Sequence, residues 1–122
     1  MPQSLRKQPL LMKYHSFLDE KVDTKYPYFF MGDFNNNAFV RDEGYDFLLS
    51  KGLFDTYNLA ENPDNGITVE GKIAGWDENK MDLRIDLVLV RDKINVKSSK
   101  VIFNAKNKPI VSDHFGVEVI LG

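Results

Sequence analysis

Val111-Ser112-Asp113-His114-Phe115-Gly116-Val117, close to the end of a 122-residue chain, is the stretch from which the rest can be read. An acid and a histidine stand together at the entrance to an apolar run, Phe115 to Leu121, whose composition predicts a strand. Upstream, Ile85 to Val90 is a second apolar run, interrupted only by Asp86 and preceded by Arg84. Further upstream, Tyr28-Phe29-Phe30-Met31 is a short continuous run of the kind found in a strand buried on both faces, and Gly32-Asp33-Phe34-Asn35 follows it. Three acid-containing signatures thus sit, in order, at the boundaries of three predicted strands.

The segments between them are read from period and punctuation. Leu10, Leu11, Tyr14, Phe17, Leu18 and Val22 fall three and four apart, which predicts an amphipathic helix that Tyr26-Pro27 ends. Residues 1–9 hold two prolines and are expected to be irregular. Glu43 to Lys51 reads as a short helix closed by Gly52, and Asp55 as the cap of a brief turn through Leu59. Asn65-Gly66 signals a turn into Ile67-Thr68-Val69, residues 71–81 read as a loop around Trp76, and Val96 to Phe103 as a further strand. No linker or repeat divides these pieces. The expectation is one domain over residues 1–122, of α/β class, with helices packed on one face of a single mixed sheet.

Composition narrows the function. With 16 Lys+Arg against 18 Asp+Glu the net charge is −2, so the electrostatic footprint of a strong non-specific nucleic-acid binder is missing, while a small anionic substrate stays open. Cysteine is absent, which excludes disulfides and thiolate metal sites. No apolar run approaches the ~20 residues of a membrane span, and the N-terminus lacks the apolar core of a signal peptide, so a cytoplasmic, non-membrane protein is the default expectation. A chain of this length buries roughly 60% of its unfolded surface in one core.

Among the acids, Asp86 says most, because a carboxylate inside an apolar strand costs several kcal/mol unless it is paired. Its partner is Arg84, a backbone amide, or a histidine whose ring it orients; His114 is the histidine in the right part of the chain. Asp33 and Asn35 stand at a strand end where glycine allows close backbone approach, although Asp and Asn also favour such turns through local hydrogen bonds. The run Asp33-x-Asn35-x-Asn37 begins like a calcium loop, but Ala38 and Gly44 replace the required glycine and glutamate, so an EF-hand is excluded. Asp113 is a hard oxygen ligand for a divalent cation, and His114 a titratable group able to contact a phosphoryl oxygen.

The ordered trio Gly32–Asn35, Arg84–Asp86 and Ser112–His114 resembles the C-terminal half of the endonuclease/exonuclease/phosphatase superfamily, the DNase I-like metal-dependent phosphoesterases, over roughly residues 26–120. Gly32-Asp33-Phe34-Asn35-Asn36, the Gly75-Trp76-Asp77 loop and Val111–Val117 look most like bacterial phosphatases of small phosphorylated compounds, maltose 6'-phosphate phosphatase among them. The resemblance implies half of a four-layer α/β sandwich and hydrolysis of a phosphoester with Mg²⁺ or Mn²⁺. By it, Asp33 positions or deprotonates the attacking water, Asn35 holds the phosphoryl group, Asp86 orients His114, His114 contacts the scissile phosphate, and Asp113 binds the metal with Asp33 and Asn35 nearby. The family's N-terminal half supplies a metal-binding glutamate that nothing before Gly32 matches, so the chain is expected to be incomplete or weakly active alone. Alternatives are a non-catalytic remnant or assembly module and, less favoured, a nuclease. Halving a two-sheet enzyme leaves a sheet face bare, carrying residues from Phe29, Phe30, Ile85, Leu87, Leu89 and the final strand, and implies a homodimer or complementation by an N-terminal half.

Overall fold

The computed structural model describes residues 28–71 and 81–122. The predicted helix over Leu10–Val22, residues 1–9 and the Trp76 loop lie outside them. In chain order the described elements are β1 (Phe29–Asp33), α1 (Gly44–Ser50), β2 (Phe54–Asp55), α2 (Thr56–Leu59), β3 (Ala60–Pro63), β4 (Asp86–Val90), β5 (Val96–Ile102) and β6 (Gly116–Leu121). Among them no helix is long and apolar enough to cross a membrane.

The class is α/β, but the strands divide between two three-stranded sheets, β1-β4-β2 and β3-β5-β6, where the sequence suggested a single mixed one. The reason lies at β4. Antiparallel β1 pairs along its whole length, and β2 takes its other edge at Leu89 and Val90, so the C-terminal strands build their own ladder. There β5 pairs in parallel with β3 and antiparallel with β6. β3 was not foreseen, since Ala60-Glu61-Asn62-Pro63 holds nothing with strand preference.

Among the described residues, the first sheet has its main cover on one side. Leu87 and Leu89 of β4 join Phe34, Ala38, Tyr45, Leu48 and Leu53 in a core under α1, with Phe30 and Tyr28 packed against it. Side chains alternate along a strand, so Phe29, Met31 and Val88 point the other way, and Phe29 and Met31 remain 42% and 60% exposed. β1 is therefore not buried on both faces. The open face is only in part the one expected: Ile85, Leu87 and Leu89 are buried and Phe30 packs on the core, while Phe29 and the final strand do lie there, with Phe29, Met31 and Val88 joining Val117, Val119 and Leu121 of β6 around an open apolar groove of about 260 Å³.

The elements between β1 and β4 are held by one buried ion pair. Asp55 caps α2 by accepting from the Tyr57 N–H at 3.0 Å, and its other oxygen accepts from Arg84 Nη2 at 2.5 Å and from the Tyr45 hydroxyl at 2.7 Å. Both charged side chains are buried, 6% and 1% exposed. The guanidinium lies 4.3 Å from the centre of the Tyr57 ring and 5.5 Å from that of Tyr45. Burial, and next the charge of Asp55, push the Tyr45 phenol up to about 12, so it stays a neutral donor. Gly66, at φ +72°, closes the nest: a Cβ there would lie 2.6 Å from Arg84 Cδ. Removing one partner of such a pair strands a buried charge. Asp55→Ala is therefore expected to lower unfolding free energy by about 3–5 kcal/mol in a urea titration; a loss under about 1 kcal/mol would contradict this account.

Candidate active site

The register of β1 on β4 sets Asp33 directly opposite Asp86. Residues so placed share a sheet face, and like charges there are destabilising unless something positive stands between them. His114 takes that position. Its Nδ1 lies 2.8 Å from Asp86 Oδ2, and its Nε2 lies 3.8 Å from Asp33 Oδ2. A carboxylate only accepts, so Nδ1 carries the hydrogen and Nε2 is left to face Asp33 and any ligand. Of the partners open to Asp86, the histidine is the one found; Arg84 instead belongs to Asp55.

Local chain geometry fixes each member. Asp33 ends β1, and its Oδ1 accepts from the Asn35 N–H at 2.8 Å, holding Asn35 at φ +52°, a conformation asparagine tolerates. Phe34 and Ala38 then donate to the carbonyls of Ile85 and Arg84, both at 2.9 Å, so the loop after β1 follows the approach to β4. Ser112 Oγ accepts from the His114 N–H at 3.2 Å and lies 3.2 Å from Asp113 Oδ1, a turn that presents the imidazole just before β6.

Thr68 was read from sequence only as part of a strand, yet it ties these pieces together. It is fully buried. Its hydroxyl oxygen accepts from the backbone N–H groups of Ile85 at 3.2 Å and Asp86 at 3.3 Å, and its carbonyl accepts from Phe115 N–H at 2.7 Å. A threonine in a run of β-formers gives no sequence signal for such a position.

Among the described residues, Asp33, Asp86 and His114 each offer one ligand atom within 4.8 Å of the others. Two carboxylate oxygens and an imidazole form a donor set suited to a divalent cation. Asp113 and Asn35 are not in that group; Asp113 is exposed and acts on His114 through its charge. Burial works to lower the His114 pKa, but the hydrogen bond with Asp86 and the charges of Asp86, Asp33 and Asp113 outweigh it, so the ring titrates above its usual 6.5.

The sign of the consequence follows. A histidine whose folded pKa is raised contributes stability fully present below the unfolded value, near 6.5, and lost as pH rises through the folded one. Asp86→Asn removes the principal cause. In metal-free protein the His114 ring signals should then titrate at lower pH, and the stability gap between wild type and variant should be widest below pH ~6.5 and shrink above it. An unchanged or higher His114 pKa in the variant would refute the pairing.

No family model and no curated protein matches the chain, but solved structures do. An endonuclease/exonuclease/phosphatase family protein from Leptotrichia buccalis C-1013-b superimposes with a TM-score of 0.81 and 44% identity over 93% of this chain. A functionally unknown conserved protein from Enterococcus faecalis V583 gives 0.68 and 25% over 95%. A mannosyl-6-phosphatase from Bacteroides thetaiotaomicron VPI-5482 gives 0.67 and 21% over 100%. The chain spans less than half of each, 42%, 45% and 47%. Its α/β fold is thus that of one half of an endonuclease/exonuclease/phosphatase, or DNase I-like, domain.

Proposed function

We propose that the chain carries catalytic carboxylates and the histidine of a metal-dependent phosphoester hydrolase acting on a small phosphorylated compound, a sugar phosphate in the first instance. The observation that carries this reading is the cross-strand Asp33–Asp86 pair with His114 between them. Two acids are not placed face to face for stability, and their separate roles fit the chemistry. Asp33, the more exposed of the two, accepts the proton of the attacking water. Asp86 holds the imidazole by Nδ1, leaving Nε2 to meet a phosphoryl oxygen; the raised pKa extends the range in which Nε2–H is a charged donor. Asn35, whose backbone N–H bonds Asp33, is in this reading the residue that holds the phosphoryl group. A divalent cation, Mg²⁺ or Mn²⁺, would be held through Asp33 of the clustered group, with Asp113 and Asn35 the further ligands the resemblance implies, and would supply charge neutralisation on the phosphoryl oxygens. The 44% identity to the Leptotrichia protein supports the reaction class. The sugar phosphatase shares the fold and suggests the substrate class to try first, while the net charge of −2 disfavours a nuclease.

The test compares hydrolysis of p-nitrophenyl phosphate and mannose 6-phosphate with nicking of plasmid DNA, with and without Mg²⁺ or Mn²⁺. Weak phosphatase turnover that chelation abolishes is expected, with Asp33→Asn and His114→Ala each reducing it by about 10²–10⁴-fold. Equal rates for wild type and both variants would overturn the assignment.

A second reading, as an assembly module, rests on the apolar groove between β1, β4 and β6. The occupant we infer is a second copy of the chain, since this apolar face is bare among the described residues and a copy related by a two-fold axis presents the same apolar face to it. Two such faces packed about a two-fold axis would bury more than ~1,000 Å² in total. Size exclusion with light scattering should give twice the 14.1 kDa chain mass, and Met31→Glu should return it to a monomer; a wild-type monomer at micromolar concentration would sink the dimer.

A further inference from the structure

We propose that Thr68 is a positioning residue of the catalytic pair: one side chain and its own carbonyl fix the distance between Asp86 and His114. Those two residues come from strands in different sheets, β4 and the approach to β6, which no hydrogen-bonded ladder joins. Something else must set their separation to the 2.8 Å observed. Thr68 touches both sides. Its hydroxyl oxygen accepts from the amides of Ile85 and Asp86, and its carbonyl accepts from the amide of Phe115, the residue after His114. Its own position is held in turn: the Thr68 and Val69 amides both donate to the Leu83 carbonyl, at 2.8 and 3.1 Å, and the Leu83 amide donates to Val69 O at 2.8 Å. The span from Asp86 to His114 therefore runs through a single residue that is 0% exposed and pinned to the chain just before β4.

The residue type is specific. Valine has the same shape but no acceptor, so Thr68→Val keeps the packing and leaves two amides without this partner. Serine keeps the acceptor and loses a methyl. A role in packing alone predicts that serine is the worse replacement; a positioning role predicts that valine is. The proposal rests on the reading of Asp86 and His114 as the catalytic pair, but its test needs no substrate. The readout is the Nδ1 proton of His114, which is visible by NMR at fixed pH while its bond to Asp86 protects it from exchange with water.

Wild type and Thr68→Ser should both show that proton, and Thr68→Val should lose it while remaining folded. Leu48→Ala serves as a control, destabilising the core under α1 without touching this path, and should keep the signal. Persistence of the signal in Thr68→Val, or its loss in Thr68→Ser as well, would overturn the proposal. Should the valine variant fail to fold, amide hydrogen exchange in the wild type decides. The Asp86 and Phe115 amides should exchange as slowly as those of the β1–β4 ladder, and exchange at the rate of exposed loop amides would overturn it. Where turnover is measurable, Thr68→Val should lower kcat by about 10²-fold, the scale of a catalytic group displaced by an ångström, with KM nearly unchanged. A fold that holds without activity would count against the hydrolase reading and leave the NMR result to judge Thr68.

Discussion

The buried pair of Arg84 and Asp55 is the contact through which the described half of this domain is joined. Three elements that are far apart in sequence meet on it: α1 through Tyr45, the β2–α2 junction through Asp55 and Tyr57, and the approach to β4 through Arg84 itself. Two charges taken from water need nearly every lone pair and proton satisfied to break even. Here the carboxylate accepts three bonds and the phenol oxygen donates one and accepts from Asn58 and Arg84, while Arg84 Nε alone lacks a partner among the described residues. A pair so enclosed contributes less to net stability than to uniqueness, because no other arrangement of these elements would satisfy it. It also fixes the chain two residues before Asp86, and so sets where that carboxylate stands.

What the sequence revealed, and what it hid, follows from this. The strands carrying acids were legible because their apolar runs are long and their boundaries hold glycine or charge; Phe29–Asp33, Asp86–Val90 and Gly116–Leu121 fall where the runs do. Asp55 as a cap was legible because capping is a local matter between neighbours in the chain. Its pairing with Arg84 was not, since an ion pair across 29 positions leaves no trace in spacing. The face each strand turns outward was also misjudged. Continuous apolar runs carry no alternation, so nothing in Tyr28–Met31 or Ile85–Val90 says that Leu87 and Leu89 point to α1 while Val88 points away.

The site shows the same division. Asp33, Asp86 and His114 could each be picked out as chemically unusual for their surroundings, but only the β1–β4 register makes the two acids direct neighbours. That placement opposes stability. Two carboxylates across a ladder repel unless a positive group stands between them, and His114 takes that position. Such a local conflict is what separates a functional constellation from a structural one, and it is visible here without reference to any relative.

The open face adds a second conflict, this time of packing. β1 and β6 both turn apolar side chains to a side where the described residues offer no cover. Phe29, Met31 and Leu121 are each exposed on that one surface. Asp33 and His114 lie at the ends of the same strands, Asp33 closing β1 and His114 just ahead of β6. Whatever covers the apolar face therefore also borders Asp33 and His114. A layer packed on β1, β4 and β6 would therefore reach Asp33 and His114 at the ends of those strands.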